Sequence, residues 1–330
     1  MPFSPLRRRL VLGIASAPAV AAAAPAWAPA DPLPSWNDTA AKRAILEFVA
    51  QATAEGGPRY VPPGDRIATF DNDGTLWCEQ PTIEVVYTRE RAAALLAARP
   101  ELTKQRPYDV LLRKDPAVLS TLGAEDVVRI LADTHTGMTE DEFLAEVTRF
   151  FATARHPRFG VAYTRVVYQP QLELLAYLRA HAFKIFICSG GEISFMRAVS
   201  QDLYGVPPEH VIGTYFLDTT EERNGRLVLR RTSTLVAIND KGAKPVGIKR
   251  HIGKRPILAC GNVRSGGDVA MLRYAKGHTL PSLALLVDHD DGVREAAYAE
   301  TDGASLAAAR GHGFTVVSMR DDWRRVFAFQ

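Results

Sequence analysis

The sequence predicts an α/β fold: a parallel sheet with helices on both faces, a mostly helical block inserted after the first strand, and a small β-hairpin. Three observations predict it. Short apolar runs bounded by turn signals recur near 67–70, 183–188, 256–260, 283–287 and 313–317, as in strands buried on both faces. Helical stretches separate most of them, and strands alternating with helices form parallel sheets. Residues 81–165, by contrast, read as helices and polar loops.

Taken in order, residues 31–37 are proline-rich and read as a linker or arm. Asp38 is placed to cap a helix over 39–54, in which Ile45, Leu46, Val49 and Ala50 share one face. Gly56-Gly57-Pro58 and Pro62-Pro63-Gly64 then break the chain before the first strand. Within the inserted block, helices are expected over 89–98, 108–112, 124–132 and 140–154. Thr139 and Glu142 form a capping box for the last of these. Its stripe of Phe143, Val147, Phe150 and Phe151 reads as core packing. A helix over 171–181 leads to the second strand, which ends at Ser189-Gly190-Gly191, and a helix over 193–204 follows. Runs at 213–218 and 226–231, joined through Asn224-Gly225, predict the hairpin. Lys244-Pro245 opens a helix to 251, and the run at 313–317 is expected at a sheet edge.

At 330 residues the chain can bury a sizeable core, and 47% hydrophobic with 23% charged residues fits a globular protein. The formal charge of +3 comes from Arg7, Arg8 and Arg9, since the remaining 37 basic residues balance 37 acidic ones. That balance removes the main support for a nucleic-acid-binding function. Residues 1–30 resemble an export signal: the arginines, an apolar run from Leu10 to Ala24, then Ala28-Pro29-Ala30 as a small-x-small site, with cleavage after Ala28 or Ala30. The arginines also resemble a twin-arginine signal. Pro18 and Pro25 argue against a stable membrane span, so a periplasmic or secreted protein is expected. The three cysteines, Cys78, Cys188 and Cys260, leave at least one thiol free, and the latter two end apolar runs as small core residues do.

The candidate site begins at Arg66-Ile67-Ala68-Thr69-Phe70-Asp71-Asn72-Asp73-Gly74-Thr75-Leu76. An apolar strand runs straight into Asp-x-Asp, and Gly74 lets the chain turn away. Both carboxylates would then sit at the carboxyl end of the strand, where open α/β sheets bind ligands. A lone Asp-x-Asp-Gly is equally a helix cap and a turn; the full string is far more specific. It resembles the first signature of the haloacid dehalogenase superfamily, in the branch of phosphoserine-phosphatase type. The resemblance implies a Rossmann-like core over 31–80 and 166–330, with residues 81–165 as a helical cap.

It also implies roles. Asp71 would be the nucleophile that becomes an aspartyl phosphate, and Asp73 would protonate the leaving alcohol and then activate water. The Asp71 carboxylate and the Asp73 backbone carbonyl would hold Mg²⁺, a hard cation that prefers oxygen. Ser189 and the N–H of Gly190 would take a phosphate oxygen. A lysine would neutralise the phosphoryl charge, with Lys241 and Lys244 as candidates and Lys244 favoured by its place at a helix start. Asp268 is the natural third metal ligand, although Asn262 and the longer loop to Asp268 depart from the family pattern. Arg264 and the cluster Asp288, Asp290 and Asp291 could approach the site or face water. Trp77, Glu79 and Gln80 could touch substrate.

The function expected is a secreted, Mg²⁺-dependent phosphatase acting on a small phosphomonoester. A phosphotransferase or phosphomutase shares the first half-reaction, and a periplasmic binding protein without turnover is the rival from another class. A dehalogenase fits less well, because such enzymes lack the second aspartate that Asp73 supplies. In the family's strand order the Asp71 strand lies between those ending at Cys188 and Cys260, which puts these two cysteines beyond disulfide reach.

Overall fold

The computed structural model describes residues 31–113, 121–264 and 266–330; the expected export signal lies outside them. Seven strands form one sheet: β1 (Ile67–Phe70), β2 (Lys184–Glu192), β3 (Val211–Arg223), β4 (Arg226–Ala237), β5 (Leu258–Asn262), β6 (Leu283–Asp288) and β7 (Thr315–Ser318). Their order is β4-β3-β2-β1-β5-β6-β7, all parallel except the β3–β4 pair. From β1 the chain builds outward on one side through β2, β3 and β4, then crosses to β5 and builds outward on the other. The direction of winding therefore reverses at β1 and β5, and such a switch point opens a crevice beyond the strand ends.

The apolar runs work because both faces of the sheet are covered. Side chains alternate along each strand. Leu258 and Cys260 join a core cluster on one face with Phe70, Ile185 and Leu285, whereas Ala259, Ala284 and Leu286 join Ile248, Met271 and Leu272 on the other. The result is a Rossmann-like sheet with helices on both faces, together with an inserted helical region between β1 and β2.

Within that region the helix Ile83–Ala98 starts six residues before the amphipathic stretch expected at 89, and helices Ala124–His135 and Glu140–Thr153 follow. The capping box forms: the Thr139 N–H donates to Glu142 Oε2 at 2.8 Å, and the Glu142 N–H to Thr139 Oγ1 at 3.2 Å. The stripe Phe143, Val147, Phe150 and Phe151 is buried.

Three expectations need correction. Residues 31–37 are no loose arm, because Leu33 and Trp36 are fully buried. Trp36 packs edge-on against Trp323 at 6.0 Å and donates its indole N–H to the Pro170 carbonyl at 3.0 Å. Asp38 does not cap the helix Ala40–Thr53: Thr39 holds the N-cap position and Asp38 pairs outside it with Arg43 at 2.9 Å. Strand β2 does not end at Cys188 but continues through the glycines to Glu192, with an irregular register between Cys188 and Glu192. The expected hairpin forms, with arms longer than the runs at 213–218 and 226–231. β3 and β4 extend the sheet edge, turning at Asn224 and Gly225, whose φ values of 54° and 72° suit a tight hairpin. The extension meets the inserted region where the Arg231 N–H donates to the Met138 carbonyl at 2.9 Å.

The strand order places β1 between β2 and β5, and Cys78, Cys188 and Cys260 are all free and buried. Strand β7 lies at the sheet edge, as expected. No helix of the described residues is long and apolar enough to cross a membrane.

Candidate active site

The site lies beyond the carboxyl ends of β1, β2 and β5. Asp71 follows β1 directly, and its N–H donates to the Cys260 carbonyl on β5 at 2.9 Å, which fixes the backbone that carries the carboxylate. Gly74, at φ 71°, turns the chain; a Cβ there would collide with Asn262, Glu79 and Tyr298. The Trp77 indole N–H donates to Asp73 Oδ1 at 2.9 Å, so Trp77 is a core residue that orients a carboxylate.

Of the two candidate lysines the structure brings one to the site. Lys244 Nζ lies 2.6 Å from Asp71 Oδ1 and 2.5 Å from Asp268 Oδ1, and all three side chains are buried. Lys241 is exposed, in a left-handed turn at φ 51°. Lys244 sits in the first turn of the helix Ala243–Ile252, behind β2. Asp268 immediately precedes the helix Val269–Lys276, and its Oδ2 accepts the Asn262 N–H at 2.9 Å. Gly261 makes that approach possible, since a Cβ there would lie 2.5 Å from Asp268 Cβ.

Ser189 and Gly190 line the same cavity as Asp71, Asp73, Lys244 and Asp268. The buried Ser189 hydroxyl accepts the Gly191 N–H at 3.1 Å. Its carbonyl accepts from the Asn239 side-chain amide at 2.9 Å, and the Gly190 carbonyl accepts from Thr214 at 2.6 Å. These bonds hold the irregular end of β2 in place.

The electrostatics follow from crowding three carboxylates around one ammonium. Burial raises the Asp71 carboxyl to about 7, and Asp268 pushes in the same direction against Lys244. Burial also raises Asp73, opposed by the Trp77 hydrogen bond. Burial alone would lower Lys244, but Asp268 and Asp71 outweigh it and hold the ammonium charged. The side-chain donors are hard oxygens with excess negative charge, which suits a divalent cation such as Mg²⁺. Among the described residues no group of three or more His, Cys, Asp or Glu side chains converges to hold a metal. The oxygens that the sequence resemblance implies for a cation are those of Asp71, Asp268 and the Asp73 backbone carbonyl, and Asp71, Asp73 and Asp268 all line this one cavity.

Of the other expected residues, Arg264 and Glu79 line the same cavity and the rest lie outside it. Arg264 pairs with Glu79, whose carboxylate also takes Asn262 at 3.0 Å and the Tyr298 hydroxyl. Gln80 is exposed and does not line the cavity. Asp288, Asp290 and Asp291 do not line it either: Asp290 accepts from Ser318 at 2.6 Å, and Asp291 pairs with Arg294 to staple its own turn.

Several residues at the site escaped the sequence reading. His289, between those acids, bridges the Gly74 carbonyl at 2.7 Å and Glu295 at 3.1 Å, and so braces the turn behind Asp73. Glu84, in the inserted region, accepts the Glu192 N–H at 3.0 Å and enters the cavity; burial and the neighbouring Glu192 raise its carboxyl to about 8. Glu84 lies inside a helix and follows no strand end, the signal that found Asp71 and Ser189, whereas His289 directly follows β6 and was passed over for the acids on either side of it. Asn239 lies just beyond the hairpin, where a strand-end search could have found it.

Fold and site together define a doubly wound α/β scaffold with carboxylates and a lysine at a topological switch point. The family model for haloacid dehalogenase-like hydrolases matches residues 68–273, and the chain belongs to that family. A search of curated proteins found no match. Among solved structures, a functionally unknown protein from Anaerococcus prevotii is similar with a TM-score of 0.55 at 14% identity, covering 84% of this chain and 91% of that one. A protein of unknown function from Bordetella pertussis aligns with a TM-score of 0.49 at 16% identity over 76% and 97% of the two chains. A phosphoserine phosphohydrolase-like protein from Francisella tularensis aligns with a TM-score of 0.40 at 14% identity over 79% and 95%. At these identities the likeness concerns the fold alone.

Proposed function

We propose that this hydrolase is a Mg²⁺-dependent phosphomonoesterase that works through an aspartyl phosphate on Asp71. The observation that carries the reading is the Lys244 ammonium between Asp71 and Asp268, beside Asp73 and the Ser189-Gly190 backbone. In the first step an Asp71 oxygen attacks phosphorus and the bond from phosphorus to the alcohol oxygen breaks. Asp73, which burial keeps protonated more readily than a free carboxyl, gives its proton to the leaving oxygen. In the second step Asp73 takes a proton from water, the hydroxide attacks phosphorus, and Asp71 and inorganic phosphate are released.

Lys244 opposes the effect of burial on Asp71, favouring its ionised form, and offsets the charge of the phosphoryl oxygens. Ser189 and the Gly190 N–H bind one of those oxygens. Mg²⁺, held by Asp71, Asp268 and the Asp73 carbonyl, would supply further charge neutralisation. Export to the periplasm is part of the proposal and rests on Arg7, Arg8, Arg9 and the apolar run that follows. The test is phosphate release from a panel of monoesters with Mg²⁺ and after its removal by chelation. Release that depends on Mg²⁺ supports the reading; no release from any monoester contradicts it.

A further inference from the structure

The cavity that holds the proposed nucleophile is about 580 Å³ and has two unlike ends. The end at the sheet is charged. The far end is walled by Val85, Val127 and Leu131 from the inserted region and by Phe216, Leu235 and Ile238 from the hairpin. Val85, Val127 and Ile238 keep 47%, 46% and 50% of their surface exposed, an arrangement that favours an apolar occupant.

Most of the polar side chains among these walls are already engaged within the protein. Thr82 donates to the Glu79 carbonyl at 3.2 Å, Thr88 to the Glu84 carbonyl at 2.7 Å, and Thr214 to Gly190. Glu79 is taken up by Arg264, Asn262 and Tyr298, Glu84 by the Glu192 N–H, and Glu192 by the buried Arg231. Asp240 stands close to Gly190, near the charged end, while Arg89 lines the cavity from an exposed position one helical turn beyond Val85, where its charge can stay in water. A sugar, amino-acid or nucleoside moiety would lose water from several polar groups at the far end and find few partners there, at a cost per unpaired group. A hydrocarbon loses nothing and gains by burial.

Resting on the phosphomonoesterase reading, we propose that the substrate is the monophosphate of an apolar alcohol, with its hydrocarbon portion seated between the helices Ile83–Ala98 and Ala124–His135 and the hairpin. The phosphoryl group meets Asp71 while the chain occupies the apolar end. Binding energy taken up there raises kcat/KM, because it is present in the transition state as well.

The experiment measures phosphate release by the full chain with Mg²⁺ from n-alkyl phosphates, ethyl to octyl, beside phosphoserine, glycerol phosphate and a nucleoside monophosphate. The expected result is a kcat/KM that rises about threefold to fourfold per methylene while the chain is being buried, with octyl phosphate above all the polar esters. Val127→Asp and Ile238→Asp, both at exposed positions, should lower the ratio of octyl to ethyl kcat/KM by roughly tenfold or more, the loss of about two buried methylenes. Phosphate release with a flat or falling series, or an unchanged ratio in the folded variants, overturns this inference and leaves the phosphomonoesterase reading standing. No release from any ester overturns both.

Discussion

Lys244 donates to Asp71 across 2.6 Å with both side chains buried, and the same ammonium reaches Asp268. Two carboxylates at the heart of the site therefore depend on one cation for their charge balance. Removing one partner of a buried ionic cluster costs about 3–5 kcal/mol, because the charge left behind has no water. Lys244→Met should lose stability of that order in urea unfolding and lose phosphatase activity. Adding Asp71→Asn and Asp268→Asn should restore much of the stability and none of the activity. A Lys244→Met protein as stable as the wild type would contradict the linkage.

The Asp268 carboxylate is assigned to the metal as well as to Lys244. Asp268→Asn keeps the side-chain volume and an oxygen that can accept the Asn262 N–H, yet removes the charge. Its Mg²⁺ requirement should rise by about 10–100-fold or more, the range seen when groups around a metal are disturbed. A Mg²⁺ titration of phosphate release is the measurement, and an unchanged midpoint places the ligand elsewhere.

Glu84 gives a pH signature. Its carboxyl is raised to about 8 from an ordinary 4.5, chiefly by burial and then by Glu192. Between these values the folded state holds a proton that the unfolded chain has released, so stability falls as pH rises from about 4.5 to 8. Each unit of raised pKa corresponds to about 1.4 kcal/mol. Glu84→Gln should flatten the slope of unfolding free energy against pH over that window. A slope identical to the wild type would show that Glu84 does not titrate this way.

The cysteines test the strand order. Cys188 follows the segment of β2 paired with β1, and Cys260 lies on β5 across β1. The native protein, prepared without reductant, should show no thiol reactive toward a bulky reagent and three after denaturation. A peptide joining Cys188 to Cys260 would overturn the order.

Much of this was legible because strands buried on both faces announce themselves as short apolar runs. The residue after each run, Asp71 or Ser189, sits where a parallel sheet exposes its chemistry. Lys244 was legible as one of two candidates; burial separates them, and burial is set by how the helix Ala243–Ile252 packs against β2. The polar braces were not legible. Tyr298 and His289 come from one stretch of the chain to meet Glu79 and Gly74 from another, and no periodicity records such a meeting. The extent of β3 and β4 was also hidden: the tip of β3 carries the charges Glu221, Glu222 and Arg223 instead of an apolar alternation, and β4 continues past Arg231 through the polar Thr232-Ser233-Thr234. The arm at 31–37 misled because its prolines outweighed Leu33 and Trp36, which pack into the core.

The central claim is that Asp71 carries the phosphoryl group and Asp73 moves the proton. The most direct measurement is rapid mixing of the Asp73→Asn protein with an aryl phosphate, followed by acid quenching and peptide mapping. An aryl alcohol leaves with little protonation, so Asp71 should still be phosphorylated, while water lacks its general base for the second step. A burst of aryl alcohol no larger than the enzyme concentration, with phosphate on the Asp71 peptide, is the predicted result, and Asp71→Asn should give neither. Steady turnover by Asp71→Asn, or no burst and no labelled Asp71 in Asp73→Asn, would contradict the two-step mechanism.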